Sequence, residues 1–227
     1  MTGSAAVLVE TLDAAAAVLL AAAAAWRARG FGAHLTGAVV LGCVSGLMAG
    51  LVREGLLHGA AGARLVLGAL PGPALAGALL GALAAAGASA LARTRVNGAP
   101  AVAGRSLFFW LDSLGLFLAA SLGVFCALRE TGATASLALG LLAGLAPGFV
   151  RDVALGDTAR LVEQSWYATA AALGSMGTIL LLILPPSFGA AWPVPEAWAW
   201  AWPWCSVLGG VAVALGLRLW RAGREVD

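Results

Sequence analysis

Lysine is absent from this chain. All 13 basic residues are arginine, and charged residues make up only 11% of its 227 positions. A soluble domain carries about a quarter, so this scarcity excludes one and, with 61% hydrophobic residues, points to an integral membrane protein. No arginine tract is dense enough for nucleic acid. Cysteine is scarce too: Cys43, Cys126 and Cys205 lie far apart in apolar segments. That spacing excludes a disulfide framework or a metal site, and all three read as buried small hydrophobes. His34 and His58 fall at expected helix ends without a partner histidine, which suits interfacial polar residues rather than ligands. With a single tyrosine, Tyr167, and no nucleophile–base set or phosphate loop, the chain reads as a non-enzyme that needs no cofactor. The first apolar run lacks a basic leader and is too long for a cleaved signal.

Apolar length is what the chain has in abundance. Charges and turn signals divide it into seven segments, near 5–26, 35–57, 65–91, 106–128, 134–155, 162–184 and 203–220. Each is long enough to cross a hydrocarbon core of about 30 Å. The expected fold is therefore all-α, a single membrane domain over residues 1–227 with seven transmembrane helices. Seven crossings place the termini on opposite sides. One side collects ten arginines (27, 29, 93, 95, 105, 151, 160, 218, 221, 224) and the other three (53, 64, 129). Positive charge favours the cytoplasmic side, so the C-terminus is expected inside and the N-terminus outside, in a bacterial plasma membrane. Before the last segment, Trp192, Trp198, Trp200, Trp202 and Trp204 crowd one loop, as expected of an interfacial anchor.

The chain also repeats itself. Gly42, Gly46 and Gly50 match Gly140, Gly144 and Gly148 at an offset of 98, and Arg53-Glu54 matches Arg151-Asp152 in the same register. Thr36, Val52 and Leu57 match Thr134, Val150 and Leu155, and Leu12-Asp13 matches Leu111-Asp112 at an offset of 99. Repeat 1 spans about 5–91 and repeat 2 about 106–184, leaving a seventh helix at about 203–220. Three spans per repeat make the second copy enter the membrane from the opposite side. Such inverted repeats put a transport path at their interface, near the midplane.

The glycines have two readings. Spaced by four, they let helices approach closely, which is also the reading for Gly68, Gly72, Gly77 and Gly81 in span three. Pro147, however, withholds an N–H from the Ala143 carbonyl, and Gly144 and Gly148 ease local unwinding. A freed carbonyl must face protein or water, so spans two and five are expected to kink. Ser45, Gly46, Met48 and Gly50 would then share a pore wall with Gly144, Pro147 and Gly148. Charges flank that stretch. Antiparallel neighbours should bring Asp13 to Arg53 on the outer side and Asp112 to Arg151 on the inner side. Their role is helix pairing or gating. Adjacent helical residues face different directions, so Glu54 is not expected to pair with Arg53 beside it.

Together, the three-plus-three-plus-one spans and the duplicated glycine–arginine–acid motif resemble the TRIC family of trimeric intracellular cation channels, prokaryotic type, also catalogued as glycine transporters. The resemblance covers about residues 8–184. The chain keeps Leu12-Asp13, Leu111-Asp112, Gly50 with Arg53, and Gly148 with Arg151 and Asp152. It departs at Met48-Ala49-Gly50 and Ala146-Pro147-Gly148, where the family pattern has three glycines, and at Glu54, where it has aspartate. The resemblance implies a homotrimer in membrane lipid. Each subunit would hold a pore bounded by spans one, two, four and five, constricted at the kinks of two and five, that passes K+ or Na+ down its gradient. A transporter of small, glycine-like amino acids, whose carboxylate half-helix N-termini would hold with Arg53 or Arg151 assisting, and a scaffold with a dry repeat interface are the alternatives.

Overall fold

The computed structural model describes residues 3–68, 72–95, 100–157, 165–188 and 202–224. Among them lie seven helices: α1 (Gly3–Gly30), α2 (Leu35–Gly68), α3 (Pro73–Arg95), α4 (Pro100–Ala127), α5 (Ala133–Ala154), α6 (Ser165–Phe188) and α7 (Trp202–Arg224). In lipid a helix satisfies its backbone N–H and C=O groups within one segment, which is why apolar runs of this length fold this way. Six helices contain stretches long and apolar enough to cross a membrane, and α6 adds the shorter apolar stretch Tyr167–Ile183. One boundary moves. Span three, expected from residue 65, begins at Pro73, because α2 continues to Gly68 beyond a non-helical residue, Gly59, at φ 61°.

The two halves are inverted, and named contacts establish it. Gly115 in the middle of α4 packs on Leu19 and Leu20 of α1, while Phe108 near the start of α4 lies under Arg27 near the end of α1. The two helices thus run antiparallel. The glycine seats repeat in register. A Cβ at Gly42 would stand 2.9 Å from the Ala21 carbonyl oxygen and one at Gly46 2.7 Å from that of Ala17. In the second half, Gly140 meets the Ala120 carbonyl at 2.6 Å and Gly144 that of Leu116 at 3.0 Å. Ala21 and Ala17 map onto Ala120 and Leu116 at the 99-residue offset. In each repeat, then, the middle helix lies directly on the backbone of the first.

The expected unwinding is a correction. The helical assignment runs without interruption through Gly42–Gly50 in α2 and through Gly140–Gly148 in α5, with Pro147 inside. The physical reason lies in the seats just described. Glycines pressed against a neighbouring backbone gain packing by staying helical, and that packing outweighs their conformational freedom.

The third helices break the symmetry. In α3, Gly77 and Gly81 sit on the Ala14 and Val18 carbonyls of α1. In α6, Gly174 sits instead against Gly210 and Ala214 of α7, and Gly210 of α7 faces Thr178 of α6 and Ser121 of α4. The unrepeated helix is thus wedged between α4 and α6. Of the tryptophan-rich stretch, residues 189–201 lie outside the described residues. Trp202 has a specific task, its indole N–H donating to the Leu181 carbonyl at 2.8 Å. In an uninterrupted helix that carbonyl would accept from residue 185, which is proline and has no N–H to give. We expect Trp202→Phe to cost about 1 kcal/mol, the net worth of one such bond. Thermal unfolding of the purified chain in detergent checks this, and an unchanged midpoint would refute it.

Candidate functional site

At mid-span a polar contact joins the two repeats. Ser45 Oγ on α2 donates to the Pro147 carbonyl oxygen on α5 at 3.1 Å, and both residues are fully buried. The duplication supplies no second copy of this bond. By the 98-residue offset Ser45 corresponds to Ala143, which has no hydroxyl. Met48 lies half-buried on α2, while Gly46 and Gly144 face α1 and α4 as described.

Two charge clusters flank this point. In the first, Arg53 Nη1 and Nη2 donate to the two oxygens of Asp13 at 3.0 and 3.4 Å, tying α2 to α1. A bidentate fork of this kind is the strong form of the ion pair. Gly50 lies beside it, a Cβ there standing 3.5 Å from Asp13 Oδ2 in ordinary contact. Arg53 Nε donates to Glu54 at 2.9 Å. His58 stands 3.5 Å from Glu54 Oε2 and 3.6 Å from Glu130 Oε2, so the cluster reaches the turn that follows α4. It is partly open, with the Asp13 and Glu54 side chains 25% and 22% exposed.

In the second cluster, Arg151 Nη1 donates to Asp112 Oδ1, tying α5 to α4, and Arg151 Nε donates to Asp152 at 2.7 Å. Arg151 also lies over the Phe108 ring at 5.1 Å. Gly148 faces the Tyr167 hydroxyl, 3.0 Å from where a Cβ would stand, and Arg151 Nη2 at 3.7 Å. This cluster is sealed, the Asp112 and Arg151 side chains being 0% and 1% exposed. A further pair joins the ends of α1 and α5. Gly156, at φ 66°, closes α5, and Asp157 N–H returns to the Asp152 carbonyl. This is a glycine-terminated helix end, and it delivers the Asp157 carboxylate to Arg27.

The two cross-helix pairings expected from the sequence, Asp13 with Arg53 and Asp112 with Arg151, are both present. The acid beside Arg53 is a correction: Glu54 does pair with Arg53, and Asp152 pairs with Arg151 in the same way. The direction argument fails here because a guanidinium is a fork. Its Nε edge stays near its own helix and reaches the next residue while the Nη edge crosses to the neighbouring helix. Sequence reasoning also missed Arg218, Ser113, Tyr167, His58 and Glu130. An arginine inside the apolar stretch "ALGLRLW" was the available signal for Arg218. Cys43 and Cys126 are half-buried, but Cys205, expected buried, is exposed on α7, a position lipid can cover.

The glycine transporter family model matches residues 109–182, from α4 into α6. No curated protein matches the sequence. Among solved structures, a prokaryotic TRIC channel crystallised in 0.5 M KCl superposes with a TM-score of 0.71 at 16% identity, over 95% of this chain and 98% of that one. The TRIC trimeric intracellular cation channel orthologue from Rhodobacter sphaeroides gives 0.66 at 22% identity, over 93% and 98%. A structure bearing on conductance through TRIC cation channels gives 0.67 at 22% identity, over 95% and 93%. The resemblance first carried by the duplicated motif thus extends through nearly the whole chain: it is an all-helical integral membrane protein with the fold of the TRIC channels, and its second repeat matches the glycine transporter family.

Proposed function

We propose that the chain is a passive monovalent cation channel for K+ or Na+, and not an enzyme. Each subunit of a homotrimer would carry one pore between α2 and α5. The observation that carries this is the Ser45–Pro147 contact at the centre of two inverted repeats, with an arginine–carboxylate cluster toward each end. In this arrangement the path is shut where the serine hydroxyl meets the proline carbonyl. Parting α2 from α5 presents both oxygens to the path, along with the adjoining backbone, and oxygens of this kind replace a cation's hydration shell. The clusters act as gates at the two mouths, since each arginine repels a cation unless its carboxylates neutralise it. Arginine placement supports a cytoplasmic C-terminus, which puts the Asp112–Arg151 mouth inside and the Asp13–Arg53 mouth outside, in a bacterial plasma membrane.

The test is K+ flux from liposomes holding the purified chain, with its oligomeric state measured on the same sample. We expect flux above that of empty vesicles. A folded trimer without it would sink the channel reading. The family match favours one second reading, a small-amino-acid transporter. Saturable glycine uptake in the same vesicles, lost in Arg151→Gln, would support it instead.

Ser45→Ala tests the closed contact. Removing the hydroxyl deletes a hydrogen bond with a net worth of about 1 kcal/mol, so the shut state should lose about fivefold in weight. Single-channel recording should show open probability raised by that order. An unchanged or lower value would remove Ser45 from the gate.

A further inference from the structure

Nothing in the duplicated halves calls for Arg218. It belongs to α7, outside the repeat, yet it is only 7% exposed and reaches the sealed cluster. Its Nη1 donates to Ser113 Oγ at 2.6 Å, and its Nη2 stands 3.9 Å from Asp112 Oδ2. The guanidinium is held over the Phe109 ring at 4.5 Å and the Tyr167 ring at 4.9 Å. This is where the two mouths differ. Arg53 turns both terminal nitrogens to the two oxygens of Asp13. Arg151 takes Asp112 Oδ1, and Asp112 Oδ2 faces Arg218.

The difference matters when a mouth opens, because each pair ties a pore helix to its neighbour. At the α2 mouth Asp13 is partly exposed, so water can replace the arginine. At the α5 mouth Asp112 is fully buried, so separating it from Arg151 costs desolvation that water does not repay. A second cation within reach lowers that cost. Arg218 Nη2 needs to advance only about 1 Å to reach charge-assisted hydrogen-bond distance. We infer that Arg218 is the exchange partner of Asp112: it takes up the carboxylate as Arg151 lets go, and so couples the seventh helix to the opening of the inner mouth. It acts through Asp112 and is a positioning residue. The inference rests on the channel reading.

Single-channel recording of the purified full-length chain tests it. Arg218→Gln should lower open probability about tenfold, a shift of about 1.4 kcal/mol. The conductance of the remaining openings should stay unchanged, because Arg218 faces α4 and α6 rather than the α2–α5 contact. Arg218→Lys, which keeps the charge but loses the fork between Ser113 and Asp112 and the stacking on the two rings, should fall between the parent and Arg218→Gln. In an Asp112→Asn background, Arg218→Gln should have less than about a twofold effect, a dependence that a purely structural role would not show. A folded Arg218→Gln channel that opens at the parent's frequency overturns the exchange, as does a folded Arg218→Lys channel that loses about tenfold. If Arg218→Gln fails to assemble, Arg218→Lys decides by the same criterion. A silent parent channel would sink the channel reading itself, whereas a conducting parent with an indifferent Arg218→Gln sinks the exchange alone.

Discussion

Asp112→Ala is expected to destabilise the chain by about 3–5 kcal/mol, the cost of stranding one partner of a buried ion pair. The carboxylate accepts from Arg151 and faces Arg218, and its side chain is fully buried. Its loss leaves two buried guanidiniums to share one remaining carboxylate, Asp152 on Arg151, with Arg218 held by Ser113 and the rings of Phe109 and Tyr167. The counterpart, Asp13→Ala, is expected to cost less, about 1 kcal/mol, because the carboxylate removed is a quarter exposed and the gap it leaves admits water to Arg53, whose side chain is only 6% exposed in the intact pair. Thermal unfolding in one detergent, with size-exclusion profiles, gives both values. The contrast is the decisive reading. Equal losses at the two aspartates would mean that the burial difference between the clusters carries no energetic weight, and the asymmetric gating built on it would fall as well.

The two cross-helix ion pairs were legible in the sequence for a physical reason. A charge inside an apolar span needs a partner at its own depth, and the 98- and 99-residue offsets specify two equivalent partnerships at once. The inverted arrangement followed from the odd span count. What the sequence hid is of two kinds. Some contacts depend on side-chain reach rather than on the direction of the Cα–Cβ bond. Arg53 and Arg151 turn one edge of the guanidinium to the adjacent acid, which helical geometry alone argues against. Others arise from the one helix that has no copy. Arg218 reads in sequence as one of several arginines near the C-terminus, useful only for orientation. Only the wedging of α7 between α4 and α6 brings it to Asp112. The glycines misled in a third way. The same residues that would ease unwinding are those whose missing Cβ admits a neighbouring carbonyl, and sequence does not say which use prevails.

That ambiguity is open to direct test, because one ladder contains both kinds of position. Alanine at Gly46 would place its Cβ 2.7 Å from the Ala17 carbonyl oxygen and 3.0 Å from the side chains of Ala21 and Ala78, all on rigid neighbours. Alanine at Gly144 would meet the Ala120 side chain at 2.7 Å and the Leu116 carbonyl at 3.0 Å. Neither site can relieve the clash by rotating a flexible side chain, so the helices must separate. Overpacking of this kind costs about 1–3 kcal/mol, and the pseudosymmetry requires similar losses at the two positions. Alanine at Gly50 meets only the Asp13 carboxylate, at 3.5 Å and beyond, an ordinary contact. Alanine is also the better helix former by about 1 kcal/mol, so Gly50→Ala should be neutral or slightly stabilising. Unfolding midpoints of the three variants separate the readings. If Gly46→Ala and Gly144→Ala raise stability as Gly50→Ala does, the glycines are not packing seats. Unwinding would then again be the better account of why they lie four residues apart.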